Sequence, residues 1–223
     1  MKAIIFDLDG TLIDSVYAHT MAWQKVLTQF GLAAPACVIH RRIGMSGKLL
    51  VKAIAREQGR RIGEKQLDRL SNRHTALFRR LTPACAPLPG ARSLLKFLAS
   101  SKIPHGIATS GKRNEIARSL KALQLSSSAV VIDGDMVEQV KPEPDLFLLC
   151  QQKLKVKPAD CLIVGDAVWD IHAARRCAIL AVGLLSGGFG EQELYNAGAM
   201  RVYKDARALH EGIDELGFEL SRS

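Results

Sequence analysis

Two carboxylates, Asp7 and Asp9, stand two residues apart in FDLDGT, at the end of a short apolar run near the start of the sequence. Other residues that suit a phosphate or a hard cation follow later apolar runs: Thr109, Ser110, Gly111, Lys141, Asp166 and Asp170. Carboxylates brought close together repel one another, and a divalent cation with oxygen ligands such as Mg²⁺ relieves that repulsion. The residue types therefore predict a Mg²⁺ site beside a site for phosphate.

This set also predicts a reaction. A carboxylate attacks phosphorus only when the charge on the phosphoryl oxygens is neutralised, which Mg²⁺, Lys141, the Thr109 hydroxyl and nearby backbone N–H groups could do. Asp7 is then the candidate nucleophile. Ester cleavage also needs a proton for the leaving oxygen, and we expect Asp9 to supply it because its neighbour raises its pKa.

Six short, partly β-branched runs are the candidate strands that would position these groups: 2–9, 105–109, 129–133, 161–166, 179–185 and, more weakly, 201–203. The segments between most of them have apolar residues at helical spacing. Alternation of strand and helix predicts an α/β fold, a doubly wound, mostly parallel sheet of Rossmann-like type. In such a sheet, ligands bind at the carboxyl ends of the strands, where the polar residues stand.

A helical insert interrupts this alternation. Residues 15–85 contain no convincing strand and hold 13 Lys/Arg against 3 Asp/Glu, although the whole chain has a net charge of only +9. Stretch 46–58 places Leu49, Leu50, Ala53 and Ile54 on one face, and stretch 64–81 has a similar apolar face. PACAPLPG (83–90) then ends the helix. We predict a core of residues 1–14 and 86–223 with an inserted helical cap of residues 15–85.

Composition narrows the functional class. Hydrophobic residues make up 48% of the chain, but no apolar run is long enough for a membrane span, and none at the start suits a signal peptide. Five cysteines without a CxxC pair are typical of a reducing compartment, so a cytoplasmic location is expected. Aromatic residues are only 5%, which disfavours nucleic acid. We expect a small anionic phosphorylated substrate, no membrane partner, and a monomer, with a dimer as the alternative.

Taken together, DLDGT, Thr109 in IATSG, Lys141 in VKPEPD and GDAVWD resemble the four motifs of the haloacid dehalogenase superfamily, in its aspartate-nucleophile phosphatase branch. The resemblance covers nearly the whole chain. It implies that Asp7 is phosphorylated, that Asp9 is the general acid/base, and that Mg²⁺ is held by Asp7, Asp166 and the backbone carbonyl of Asp9. Asp170 would support this metal site.

The helical insert resembles the small cap of the subgroup with phosphoglycolate phosphatase and β-phosphoglucomutase. A phosphatase is the first prediction, and a phosphomutase is the alternative, although RRIGMSG departs from the VSRE-like loop expected of the mutase. A phospho-receiver signalling domain is disfavoured by the insert and by the late GDxxxD pair. The candidate substrate residues are Ser110, Gly111, His19, Arg42, Gly44, Ser46 and Lys48. Arg73 and His74 could face either the cleft or the solvent. Asp14 and Ser15 are candidates to cap the first cap helix, and Trp23 and Trp169 are expected to be packing residues.

Overall fold

The computed structural model describes residues 1–82, 84–126 and 129–218. The strands within these ranges are β1 (Ala3–Phe6), β2 (His105–Ala108), β3 (Val130–Ile132), β4 (Cys161–Gly165), β5 (Leu180–Leu184) and β6 (Arg201–Tyr203). The α-helices are α1 (Val16–Gln29), α2 (Ala36–His40), α3 (Gly47–Glu57), α4 (Glu64–Leu81), α5 (Ala91–Ser100), α6 (Arg113–Leu123), α7 (Asp145–Leu154), α8 (Val168–Arg176), α9 (Glu191–Ala197) and α10 (Ala206–Glu211).

All six predicted strands join one parallel sheet in the order β3-β2-β1-β4-β5-β6. This order makes β1 a central strand and places a topological switch point between β1 and β4, where ligands bind in open α/β sheets. The predicted doubly wound α/β fold is therefore confirmed.

The side chains of β1 point alternately to the two faces of the sheet and show how both faces are covered by helices. Successive side chains of a strand point to opposite faces, so Ile4 and Phe6 pack into one core with α5, α6 and α10. Ala3 and Ile5 pack into the other core, with α7, α8 and α9. All four residues are fully buried, which is why the strand is apolar without a polar face.

Helices α1 to α4 lie between β1 and β2 and have a hydrophobic core of their own, which includes Trp23, Leu50 and Leu67. One expectation was wrong here, because Leu49 is 41% exposed rather than on the buried face of α3. The sequence pattern also did not predict the short helix α2. Helix α4 ends at Leu81 as predicted, and Pro83 lies outside the described residues. The domain boundaries themselves stay a prediction.

Within the described part of the chain, no helix is both long and apolar enough to cross a membrane.

Candidate active site

The site lies at the carboxyl edge of the three central strands. Phe6, the last residue of β1, pairs with Ile107 on one side and with Val164 on the other. The next residue, Asp7, donates its backbone N–H to the Val164 carbonyl over 2.8 Å. Neighbouring strands therefore end at nearly the same level, because parallel strands share a common edge. The residues that follow these strand ends are Asp7, Thr109 and Asp166.

Three buried carboxylates meet at this edge. One oxygen from each of Asp7, Asp166 and Asp170 lies within 4.8 Å of the other two, and the residues are 4%, 3% and 0% exposed. Burial raises the pKa of Asp7 to about 7, and the charges of Asp170 and Asp9 add to the effect of burial. Burial, with Asp170 and Asp7 as neighbours, also raises the pKa of Asp166 well above its ordinary value.

Lys141 supplies the positive charge beside this triad. Its ammonium group forms ion pairs with Asp7 and, at 2.8 Å, with Asp170, and the residue is completely buried. Burial alone would lower the pKa of Lys141, but Asp170 and Asp7 outweigh that effect and raise it. Lys141 is therefore a fixed cation, and one ammonium faces three carboxylates.

The donor set fits Mg²⁺. The triad is made of hard carboxylate oxygens, and burial together with the neighbouring carboxylates raises the pKa values of Asp7 and Asp166 despite Lys141, so a divalent cation would stabilise their ionised forms. Asp166 is held in place by Thr11, whose hydroxyl donates to Oδ1 over 2.7 Å. Two glycines border the same carboxylate: a Cβ at Gly10 would lie 2.4 Å from Asp166 Oδ2, and one at Gly187 only 1.7 Å from it.

Asp170 lies at the start of α8 and accepts a hydrogen bond from the Ala167 backbone N–H over 3.0 Å. This bond satisfies one donor of the helix N-terminus and fixes the carboxylate. Its other oxygen lies toward Lys141. Asp170 thus orients the lysine as well as contributing to the triad.

Two residues of the insert contact the Asp9 carboxylate. Its Oδ1 accepts a hydrogen bond from the Ser15 hydroxyl over 2.5 Å and lies 3.5 Å from His19 Nε2. The predicted rise in the pKa of Asp9 is wrong: burial acts in that direction, but His19 and Ser15 outweigh it and lower the pKa. The predicted cap by Ser15 is also wrong, because its side chain makes no capping bond to α1 and is used by Asp9 instead.

A chain of polar side chains continues from Asp9 across the insert. His19 Nδ1 lies 3.1 Å from Nε2 of His74, which is buried on α4 and has Nδ1 3.9 Å from Glu115 of α6. Burial and the nearby His19 hold the pKa of His74 well below its ordinary value. Glu115 also accepts a hydrogen bond from the Thr75 hydroxyl. Cap and core are therefore connected by polar contacts beside the acid/base candidate.

The predicted loop residues of cap and core also meet. The backbone N–H of Ser46 donates to the Lys141 carbonyl over 3.1 Å, and the Ser110 hydroxyl donates to the Gly44 carbonyl over 3.4 Å. Thr109 is almost fully buried, and its hydroxyl accepts from the Gly111 N–H over 3.1 Å. The insert therefore covers the carboxyl edge of the sheet.

Between cap and core lies a cavity of about 620 Å³. Ten of the thirteen predicted site residues line it: Asp7, Asp9, His19, Arg42, Gly44, Ser46, Lys48, Thr109, Ser110 and Gly111. Lys141, Asp166 and Asp170 are not in its lining, and they contact Asp7 from the protein side.

Two of the predicted substrate cations are already paired within the cap. Arg42 forms an ion pair with Glu57 of α3. Lys48 lies 2.7 Å from Asp68 and 3.2 Å from Glu64, both on α4. In this structure, Arg42 and Lys48 therefore connect the predicted substrate loop to the helices of the cap.

The sequence reasoning missed several residues around the site. Glu115 was not singled out, although it is the acidic residue in the first turn of the helix after IATSG. The sequence around Gly187 does not indicate its role, because that role comes from its close approach to Asp166, a residue 21 positions away. Trp23 packs as predicted, and its indole also stacks on His74 with ring centroids 4.2 Å apart. The catalytic and binding roles of all these residues stay predictions.

Several known proteins are similar to this chain. The family model described as haloacid dehalogenase-like hydrolase matches residues 4–184. A β-phosphoglucomutase from Bacillus subtilis is 31% identical over 194 residues, which cover 84% of each chain. A phosphoglycolate phosphatase from Rhodospirillum rubrum is 30% identical over 224 residues, covering 97% of this chain and 91% of the relative.

Among solved structures, a hydrolase from Pseudomonas syringae superimposes with a TM-score of 0.93 at 43% sequence identity. The match covers 97% of this chain and 99% of that one. The similarity therefore includes both the sheet and the helical insert.

Proposed function

The chain belongs to the haloacid dehalogenase-like hydrolase family, as an enzyme of its phosphatase and phosphomutase group, and from that premise we propose that it is a Mg²⁺-dependent phosphatase. Its substrate would be a small organic phosphate monoester, cleaved through a phosphorylated Asp7. One observation carries the proposal: the buried Asp7 carboxylate lies against Lys141 and within 4.8 Å of two further carboxylates, and it lines the cavity between cap and core.

In the first step an Asp7 oxygen attacks phosphorus, and the bond from phosphorus to the ester oxygen breaks. The leaving oxygen takes a proton from Asp9, which lines the same cavity. In the second step Asp9 accepts a proton from water as the water oxygen attacks the phosphoryl group. The bond between Asp7 and phosphorus then breaks, and the products are an alcohol, inorganic phosphate and the unchanged enzyme.

The low pKa of Asp9 in the substrate-free protein bears on this scheme. His19 and Ser15 favour its ionised form, which is the form that acts as the base in the second step. In the first step Asp9 needs a proton, and an arriving phosphate dianion favours protonation because it adds negative charge beside Asp9. The carboxylate thus has neighbours that suit both halves of the reaction.

The phosphoryl oxygens would be bound by groups at two strand ends. Lys141 is a permanent cation, and the loop 109–111 offers a hydroxyl and backbone N–H groups. Mg²⁺ held by Asp7 and Asp166, with the Asp9 backbone carbonyl as the further predicted ligand, would neutralise charge on the phosphoryl group. Asp170 would keep Lys141 and the metal site in place.

A phosphomutase is the second candidate, favoured by the similarity to the Bacillus subtilis β-phosphoglucomutase. It would use the same first step and return the phosphoryl group to a sugar hydroxyl instead of water.

The test is release of inorganic phosphate from p-nitrophenyl phosphate and from a panel of phosphate esters, with and without Mg²⁺. We expect Mg²⁺-dependent turnover by the wild type and loss of turnover in Asp7→Asn. The control is Asp160→Asn, which removes a carboxylate from an ion pair with Lys2 at the amino ends of β1 and β4, the opposite edge of the sheet. Full activity of Asp7→Asn would refute the mechanism, and an isomeric sugar phosphate as the only product would favour the mutase.

A further inference from the structure

The turn that follows β5, residues 185–188, lies against the carboxylate triad, although none of its residues was predicted to belong to the site. A Cβ at Gly187 would lie 1.7 Å from Asp166 Oδ2, so the backbone of the turn packs closely on this carboxylate. The Ser186 hydroxyl donates to the Gly10 carbonyl over 2.6 Å, and Gly10 borders the same carboxylate oxygen. The turn therefore helps to enclose the Asp166 side chain.

The cap contacts the same turn through His40, the last residue of α2. Nε2 of His40 lies 2.8 Å from the carbonyl oxygen of Gly187. A carbonyl can only accept a hydrogen bond, so Nε2 carries the proton and donates it. This hydrogen bond joins the cap to a residue whose backbone borders Asp166.

The His40 imidazole is held in place by two aromatic rings. It stacks on Tyr17 of α1, with ring centroids 5.4 Å apart, and lies 5.6 Å from the ring of Phe189 in the core. Gly188 has a φ of +88°, and a Cβ there would lie 2.9 Å from Tyr17 Oη and 3.0 Å from His40 Nε2. Gly188 thus allows the cap to approach the turn, and Gly187 allows the turn to approach Asp166.

A neighbouring contact joins the cap to another part of the core. The Arg41 side chain forms an ion pair with Glu193 of α9 at 2.9 Å, and its guanidinium group lies 5.0 Å from the centre of the Phe189 ring. Within the described part of the chain, no hydrogen bond or ion pair joins the Arg41 side chain to Gly187 or Asp166. His40 and Arg41 therefore allow the effect of the turn to be separated from general docking of the cap.

We propose that His40 is a positioning residue for Asp166. Its hydrogen bond to Gly187 keeps the turn against the Asp166 carboxylate, and a carboxylate that is already oriented binds Mg²⁺ more tightly. This inference rests on the proposed function, in which Asp166 is a ligand of Mg²⁺. Coupling between two equilibria is reciprocal, so bound Mg²⁺ would also stabilise this contact between cap and core.

The experiment measures Mg²⁺ binding to the substrate-free protein by isothermal titration calorimetry. His40→Leu keeps an apolar side chain between Tyr17 and Phe189 but lacks the donor. We expect its Kd for Mg²⁺ to be at least about threefold higher than that of the wild type, the effect of one lost hydrogen bond. An equal Kd in the two proteins would overturn the inference.

A conservative variant separates the hydrogen bond from the packing of the ring. His40→Gln retains an N–H donor, and we expect it to bind Mg²⁺ with a Kd within about twofold of the wild-type value. A loss of affinity as large as that of His40→Leu would contradict the role assigned to the hydrogen bond.

Kinetics give a second readout. For His40→Leu at saturating Mg²⁺, kcat for p-nitrophenyl phosphate should return to within about twofold of the wild-type value, since the groups proposed to react are unchanged. A lower kcat that persisted at saturation would assign His40 a role other than metal affinity and overturn the inference.

The control is Arg41→Gln, which removes the neighbouring ion pair between cap and core. Its Kd for Mg²⁺ should stay within about twofold of the wild-type value, and a loss equal to that of His40→Leu would show that general docking of the cap sets the affinity. Mg²⁺-dependent hydrolysis by the wild type with no effect of His40→Leu would overturn this inference alone. No Mg²⁺ binding by the wild type would refute the proposed function, and the inference would fail with it.

Discussion

Replacing Gly187 by alanine should disable the proposed metal site while leaving all of the predicted site residues in the sequence. A Cβ at this position would lie 1.7 Å from Asp166 Oδ2 and 2.5 Å from its Cγ. Ordinary contacts begin at 3.4 Å. The carboxylate or the Gly187 backbone must therefore move by roughly 1.7 Å, which is the difference between that limit and the distance to Oδ2. Asp166 is held from the other side by Thr11, which limits its ability to move.

The size of the effect follows from that displacement. Overpacking of this kind costs about 1–3 kcal/mol of folding stability, which a folded domain of this size can tolerate. Misplacement of a catalytic group by 1 Å lowers rates by about 100-fold. We therefore expect kcat/KM for p-nitrophenyl phosphate to fall about 100-fold and the Mg²⁺ concentration for half-maximal activity to rise at least about tenfold.

The assay is a Mg²⁺ titration of kcat/KM, with urea unfolding to show that Gly187→Ala is folded. Gly63→Ala is the matched control, because no atom lies within 4 Å of a Cβ placed there. Wild-type Mg²⁺ dependence and turnover in Gly187→Ala would refute the reasoning, since Asp166 could then move freely without consequence for the metal.

Two further predictions concern stability. Lys141→Met leaves Asp7 and Asp170 buried without their shared cation, and in Mg²⁺-free buffer we expect the free energy of unfolding to fall by about 3 kcal/mol, measured by urea denaturation. The pKa of His74 lies well below 6.5 in the folded protein, so the unfolded chain binds the extra proton and the folded chain does not. His74 should therefore destabilise the folded protein as the pH falls below about 6.5, by up to about 1.4 kcal/mol per pH unit, and the free energy of unfolding of wild type relative to His74→Gln should decrease accordingly; Asp7 and Asp166, whose raised pKa values act in the opposite direction, are common to both proteins.

Each stability prediction has a control. Lys2→Met removes an exposed ion pair with Asp160 and should change the free energy of unfolding by less than about 1 kcal/mol. If Lys141→Met lowered the free energy of unfolding as little as Lys2→Met does, the buried carboxylates would not need the lysine for their stability. For the histidine, the control is His210→Gln on α10, and a pH dependence of the free energy of unfolding that is the same in wild type and in His74→Gln would contradict the assignment to His74.

Much of the fold was predictable because its signals are local. Short apolar runs alternating with helical patterns predicted all six strands of the sheet, and the parallel sheet predicted that Asp7, Thr109 and Asp166 would share an edge. Short-range periodicity was less reliable in the insert. Leu49 fits the apolar face of α3 by spacing, yet it is exposed, because the neighbouring helices decide which part of a face is covered.

The sequence by itself determined the kind of chemistry that is proposed: the residue types in DLDGT and GDAVWD, together with Thr109 and Lys141, place carboxylates and a cation beside a predicted phosphate site at the ends of parallel strands. Only the tertiary structure decided how each group is tuned. The pKa of Asp9 depends on Ser15 and His19, and the pairing of Arg42 and Lys48 depends on carboxylates at least 15 residues away. Electrostatic effects vary with distance and burial, and these quantities exist only once the cap is folded over the core.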